Sequence, residues 1–135
     1  MPDRDRIEWR SLVHKTEFQK VYTEGVKRVG RLLVVYLLTA DDLARAVVAS
    51  RKVGGAVRRN RAKRLLREAH RTGILSRRDE VTGLRARFFP GPAAADPAAE
   101  RVGGEGLWVV LVARQRIVDA TSREVRAELD ALLTH

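Results

Sequence analysis

The sequence predicts an α+β sandwich: helices packed on a small sheet, in the order α-β-β-β-α-β-α, with one sheet face partly open. Three observations carry that expectation. Two runs, RLLVVYLLT at 31–39 and LWVVLVA at 107–113, are nearly continuously apolar and have the length of buried strands. A third run, LARAVVAS at 43–50, follows the first after Ala40, Asp41 and Asp42, a turn short enough to predict an antiparallel pair. Between and around these runs, apolar residues recur at the three- and four-residue spacing of amphipathic helices.

The elements follow in order. Residues 1–13 read as a polar arm with four apolar anchors, Ile7, Trp9, Leu12 and Val13. A short helix then opens with Thr16 as N-cap and Gln19 closing a capping box. It places Phe18, Val21 and Tyr22 on one face and stops at Gly25. Residues 26–39 supply one or two strands and residues 43–50 the next. Gly54 and Gly55 break the chain before a second helix, whose Ala62, Leu65, Leu66 and Ala69 form a buried stripe ending near Gly73.

Residues 76–106 read as a flexible insert, because FFPGPAAADPAAERVGGEG is dense in Pro, Gly and Ala. Leu107–Ala113 resumes the sheet with Trp108 in the core. Thr121 and Glu124 then cap a last helix carrying Val125, Leu129, Leu132 and Leu133 on one face. The 135 residues suffice for one domain, 1–135, with a single modest core.

Charge is the most informative feature for function. Of the +10 net charge, +8 lies between Arg51 and Arg71, where nine Lys or Arg face one acid, Glu68. Turning at 100° per residue gathers Asn60, Arg64, Arg67 and Arg71 on the side opposite the apolar stripe. Guanidinium groups about 5 to 10 Å apart along the axis suit a phosphate ladder. A solvated cationic helix without a ligand is the alternative, and it carries a self-repulsion that a polyanion would relieve. Asn60 is either an exposed polar residue or a reader of a base edge, and composition leaves that open. Trp9 is suited to pin the arm.

Other function classes find little support. There is no Cys, hence no disulfide or thiolate site and a composition suited to a reducing cytoplasm. His14, His70 and His135 lie in separate elements with no HExxH-type spacing, and no Gly-rich phosphate loop precedes a helix, so neither catalytic residues nor metal ligands are expected. Asp41–Asp42 and Asp79–Glu80 read as solvated pairs. No apolar run approaches the ~20 residues of a membrane span, and MPDRDRIEWR lacks the apolar segment of a secretory signal. A cytoplasmic protein without membrane contact is expected.

The stretch from Ser50 to Ala69, SRKVGGAVRRNRAKRLLREA, closely resembles the signature of the bacterial ribonuclease P protein component: a Ser-Lys-Lys-like segment, a Gly-x-Ala-Val step and Arg-Asn-Arg opening a basic helix. Glu17-Phe18-Gln19-Lys20-Val21-Tyr22 with Gly25 resembles that family's first helix, and 107–114 with the helix after Thr121 its closing β-α pair. Two positions depart from the pattern, Arg51 for a common Lys and His70 for a common aromatic.

The resemblance implies a small protein cofactor of a ribozyme that removes the 5′ leader of precursor tRNA, with the reaction's Mg2+ held mainly by the RNA subunit. It implies contact with catalytic RNA through Arg51, Lys52, Arg58, Arg59, Asn60, Arg61, Lys63, Arg64, Arg67 and Arg71. It also implies a leader cleft of Phe18 and Tyr22 rimmed by Arg51 and Asn60, although on spacing alone Phe18 and Tyr22 read as ordinary helix core. The implied partners are the RNA subunit and precursor tRNA, with no obligate protein partner, and the implied fold contains a left-handed β-α-β crossover. The alternative is a ribosomal-type or DNA-binding basic module without a nuclease role.

Overall fold

The computed structural model describes residues 7–90 and 106–134. The first element is a two-residue strand in the arm, β1 (Arg10–Ser11). After it come α1 (Lys15–Glu24), β2 (Val26–Val29), β3 (Leu33–Ala40), β4 (Leu43–Val48), α2 (Ala56–Thr72), α3 (Arg78–Phe88), β5 (Gly106–Ala113) and α4 (Ser122–Thr134). The strands form one mixed sheet in the order β1-β4-β5-β3-β2.

The strand neighbours depart from the predicted hairpin. β3 and β4 do not pair; β5 lies between them, antiparallel to β3 and parallel to β4. The Asp41–Asp42 turn therefore spans two strand spacings, roughly 10 Å. Its bonds go to the intruding strand: the Leu107 N–H donates to the Asp42 carbonyl at 2.9 Å, and the Trp108 indole N–H donates to the Asp42 carboxylate at 2.8 Å. Gly106 is obligatory at this crossing, because a Cβ there would collide with the Asp42 backbone.

Alternation along the strands divides two apolar layers. Leu33, Val35 and Leu37 of β3, with Leu107, Val109 and Leu111 of β5, face the main core under α2, α3 and α4. Leu38, Ala44, Ala46 and Val110 face the other way, where Leu12 of the arm and Val21 of α1 cover only part of the sheet. In α2 the stripe Ala62, Leu65, Leu66 and Ala69 is buried as its periodicity predicts. Burying Leu65 and Leu66 contributes about 2 kcal/mol each.

Two helices differ from expectation. The first begins at Lys15 with His14 as N-cap, two residues before the predicted Thr16–Gln19 box. Glu17 decides this register: its carboxylate accepts the His14 N–H at 3.3 Å and is held at 2.8 Å by Arg10. The second is α3, which occupies the start of the predicted flexible insert and buries Val81 and Leu84 against the main core. Tertiary burial overrides a segment interrupted by Thr82 and Gly83. The rest of that insert, 91–105, lies outside the described residues, as do residues 1–6 of the arm and His135. Of the predicted arm anchors, Ile7 and Leu12 are buried whereas Val13 is 69% exposed.

The predicted cap of α4 forms: Glu124 N–H donates to Thr121 Oγ1 at 3.2 Å and Thr121 N–H to the Glu124 carboxylate at 3.1 Å. The same helix closes the β2–β3 turn from outside. Glu128 accepts the backbone N–H groups of Arg31, Leu32 and Leu33 at 3.0, 2.7 and 3.0 Å. Glu128→Gln keeps one acceptor oxygen and turns an amide toward donors. It is expected to cost about 1 kcal/mol, read as a fall of roughly 4 °C in the midpoint of thermal unfolding.

Candidate nucleic-acid interface

Helix α2 is presented by the break before it. Ser50 accepts the Lys52 N–H at 3.3 Å and caps a single turn, Arg51–Val53, whose buried Val53 fastens it to the core. Gly54 then adopts φ 140°, a conformation that side chains resist, and lets the chain swing into Ala56. Arg51, Lys52 and Arg58 stand exposed along this entry, and Asn60, Arg64, Arg67 and Arg71 are exposed along the outer face of α2. No acidic residue occupies the first turn. The helix N-terminus, already the positive end of the dipole, thus carries further positive charge.

The remaining predicted cations are less free. Arg59 and Lys63 are half-buried, and the Arg59 Nε is enclosed without a hydrogen-bond partner. Arg61 stays exposed but donates from Nε to the Val118 carbonyl at 3.0 Å and from Nη2 to the Ala120 carbonyl at 3.1 Å. Those bonds tie α2 to the turn leading into α4, so Arg61 has a structural task that spacing did not reveal.

The second feature is aromatic and lies on the partly covered sheet face. Phe18 and Tyr22, one helical turn apart on α1, have ring centroids 6.3 Å apart. Tyr22 meets Tyr36 of β3 edge-on at 4.8 Å and is 41% exposed. Partial burial, then the neighbouring Tyr36, raise the Tyr22 phenol above its ordinary pKa, so it stays a neutral donor near neutral pH. Tyr36 is a member the sequence reading missed. The alternation within RLLVVYLLT carried the signal, since Tyr36 falls opposite in phase to Leu33, Val35 and Leu37.

The cation over these rings is Lys27, 5.8 Å from the Tyr36 centroid, rather than Arg51. Neither Arg51 nor Asn60 bonds to the aromatic rings among the described residues. Arg51 follows instead from the end of β4, where Val48, Val112 and Val34 are paired side by side and the chain runs through Ser50 into Arg51. The open aromatic surface and the cationic entry to α2 are therefore joined by the run of β4.

The arm is fixed by other contacts. Arg10 pairs with Glu17 and Asp42, which raises the guanidinium and lowers both carboxylates from their ordinary ranges. Trp9 packs edge-on against His70 of α2, centroids 4.6 Å apart, so the arm is pinned where the sequence suggested. His70 is 3% exposed and fills the core position that its departure from the motif left open. Among the described residues no three His, Cys, Asp or Glu group as a metal site, and no helix is long and apolar enough to cross a membrane.

Comparison with known proteins follows the same outline. A family model described as Ribonuclease P matches residues 8–135. The ribonuclease P protein component of Clostridioides difficile is 39% identical over 67 residues, covering 48% of this chain and 59% of that one. That of Halalkalibacterium halodurans is 38% identical over 100 residues, covering 70% and 78%. Among solved structures, the Staphylococcus aureus RNase P protein superposes with a TM-score of 0.61 at 21% identity over 94% of each chain. The Thermotoga maritima protein gives 0.62 at 21% identity over 95% of this chain and 98% of that one. At such identities the structural likeness is one of fold.

Proposed function

Since this chain belongs to the ribonuclease P protein family, we propose that it is the protein subunit of a cytoplasmic ribonuclease P and assists its RNA in removing the 5′ leader of precursor tRNA. The observation that carries this reading is the pairing of two surfaces on one scaffold. The exposed cations of α2 and its entry turn offer charge to a folded RNA, and the open aromatic face offers stacking to a single strand. In this reading α2 docks on the catalytic RNA, and Phe18, Tyr22 and Tyr36 receive leader bases. The protein offsets phosphate repulsion between two RNAs and contributes no reacting group. In this reading the reaction's Mg2+ is held mainly by the RNA subunit, while Asp42 and Glu17 of this chain serve to hold Arg10.

Cleavage of precursor tRNA at low Mg2+ by protein alone, by RNA subunit alone and by the mixture tests this assignment. Stimulation confined to the mixture is expected. Cleavage by the protein alone, or binding without stimulation, would replace the reading with a nuclease or with a ribosomal-type or DNA-binding module.

The cleft has its own expected result. Tyr22→Ala removes a partly exposed stacking platform. Holoenzyme affinity for precursor tRNA should fall about tenfold, within the worth of one stacked base, with affinity for leaderless tRNA unchanged. Equal loss for both substrates would remove Tyr22 from the leader path.

A further inference from the structure

The helix that carries Phe18 and Tyr22 has little core to hold it. Of the α1 side chains, Val21 is buried and the rest are half-buried or exposed. Its C-terminal end is seated by Gly25, where an added Cβ would stand 2.7 Å from the Leu37 carbonyl oxygen of β3. The N-terminal end is held from the side, by one guanidinium.

That guanidinium belongs to Arg10. The arm around it is laid on β4 by main-chain bonds: β1 pairs Arg10 with Ala44 and Ser11 with Arg45, and the Leu12 N–H donates to the Arg45 carbonyl at 3.0 Å. From this fixed base Arg10 donates from Nη2 to the Glu17 carboxylate at 2.8 Å and from Nε to that of Asp42. Asp42 also accepts the Trp108 indole N–H at 2.8 Å, and the guanidinium lies 5.5 Å from the Trp108 ring centroid. One fork thus joins the arm, α1, the β3–β4 turn and β5. Exposed ion pairs contribute little to global stability, but an arginine fork shared by two carboxylates fixes geometry. Glu17 immediately precedes Phe18, so this geometry decides where the first ring stands over the sheet.

We propose that Arg10 is a positioning residue for the single-stranded leader: through Glu17, with Asp42 and Trp108 as its footing, it sets the placement of Phe18 over the sheet. The inference rests on the open aromatic face being the seat of the leader. Arg10 needs no contact with RNA in this role.

Holoenzyme affinity for precursor tRNA, compared with leaderless tRNA, provides the measurement. Arg10→Met should weaken precursor binding about fivefold, part of the worth of one stacked base, and leave leaderless tRNA unchanged. The slope of log affinity against log salt should stay as it is, whereas loss of a direct phosphate contact would flatten it by about 0.7. Glu17→Gln should also weaken precursor binding, although removing an acidic group would by charge alone tighten it. In a Phe18→Leu background, Arg10→Met should cost nothing further. An unfolding midpoint within about 2 °C of wild type marks an intact sheet and main core, and Glu17→Gln keeps the test valid if Arg10→Met folds poorly. A flattened slope, tighter binding by Glu17→Gln, or an undiminished loss in the Phe18→Leu background overturns the positioning role. If both variants spare precursor binding while Tyr22→Ala loses it, the leader face stands and the role of Arg10 falls. If Tyr22→Ala also spares it, both fall together.

Discussion

Replacing Arg58, Lys63 and Arg64 together by Gln should lower affinity for the ribonuclease P RNA by roughly 100-fold near 0.15 M salt. It should also flatten the slope of log affinity against log salt by about 2 to 3. Each phosphate neutralised by a cation releases about 0.7 to 0.9 of a counterion, and three such contacts compound to that loss. The substitutions leave the fold alone, because Arg58 and Arg64 are exposed, Lys63 makes no side-chain bond, and the buried stripe Ala62, Leu65, Leu66 and Ala69 is untouched. A change of unfolding midpoint within about 2 °C is the control.

Arg61 must stay out of that set. Its two bonds to the Val118 and Ala120 carbonyls mean that Arg61→Gln would mix lost docking with lost stability. An unchanged affinity and slope in the triple variant would move the RNA surface off α2.

What could be read from the chain beforehand was what depends on neighbours in sequence. The stripe and outward arc of α2 follow from helix pitch, and the Thr121–Glu124 cap from a three-residue spacing; both stand in the structure. Non-local facts were out of reach. The sequence shows a short turn between β3 and β4, but not that β5, more than sixty residues later, separates them. Glu17 and Gln19 both offer an oxygen to a helix start; Arg10, fixed by a distant Asp42, selects Glu17. The apolar set of α3 is visible as Val81, Leu84 and Phe88, yet propensity alone is too weak to declare a helix there. At the site the same division holds. Phe18 and Tyr22 share a helix turn and were legible, whereas Tyr36 joins them only through sheet packing, and Arg61 turns structural only because the turn before α4 lies beneath it.

His70 carries the second large expected effect, on stability against pH. It is buried beneath Trp9 and its Nε2 has no partner; the groove beside it is lined by Arg45 of β4 and by Arg67 and Arg71 of its own helix, with Glu8 of the arm, exposed, as the one carboxylate. Burial, then the charge of Arg45, press its pKa from 6.5 to about 3. The unfolded chain therefore takes up this proton first as pH falls, and between pH 6.5 and 3 acid favours unfolding. The contribution is intact above the unfolded value and is lost progressively below it. From pH 7 to pH 5 the loss is about 2 kcal/mol, or roughly 6 to 8 °C in the unfolding midpoint.

Asp42 and Glu17, whose carboxylates are lowered by Arg10, also weaken the fold in acid, but mainly below pH 5, because their unfolded forms protonate near pH 4. His70→Phe keeps a ring against Trp9 and removes the proton. Its midpoint should change by no more than about 2 °C between pH 7 and 5. An equal acid loss in wild type and His70→Phe would mean that the imidazole is already paired or hydrated in solution. The Trp9 clasp would then not depend on a neutral His70.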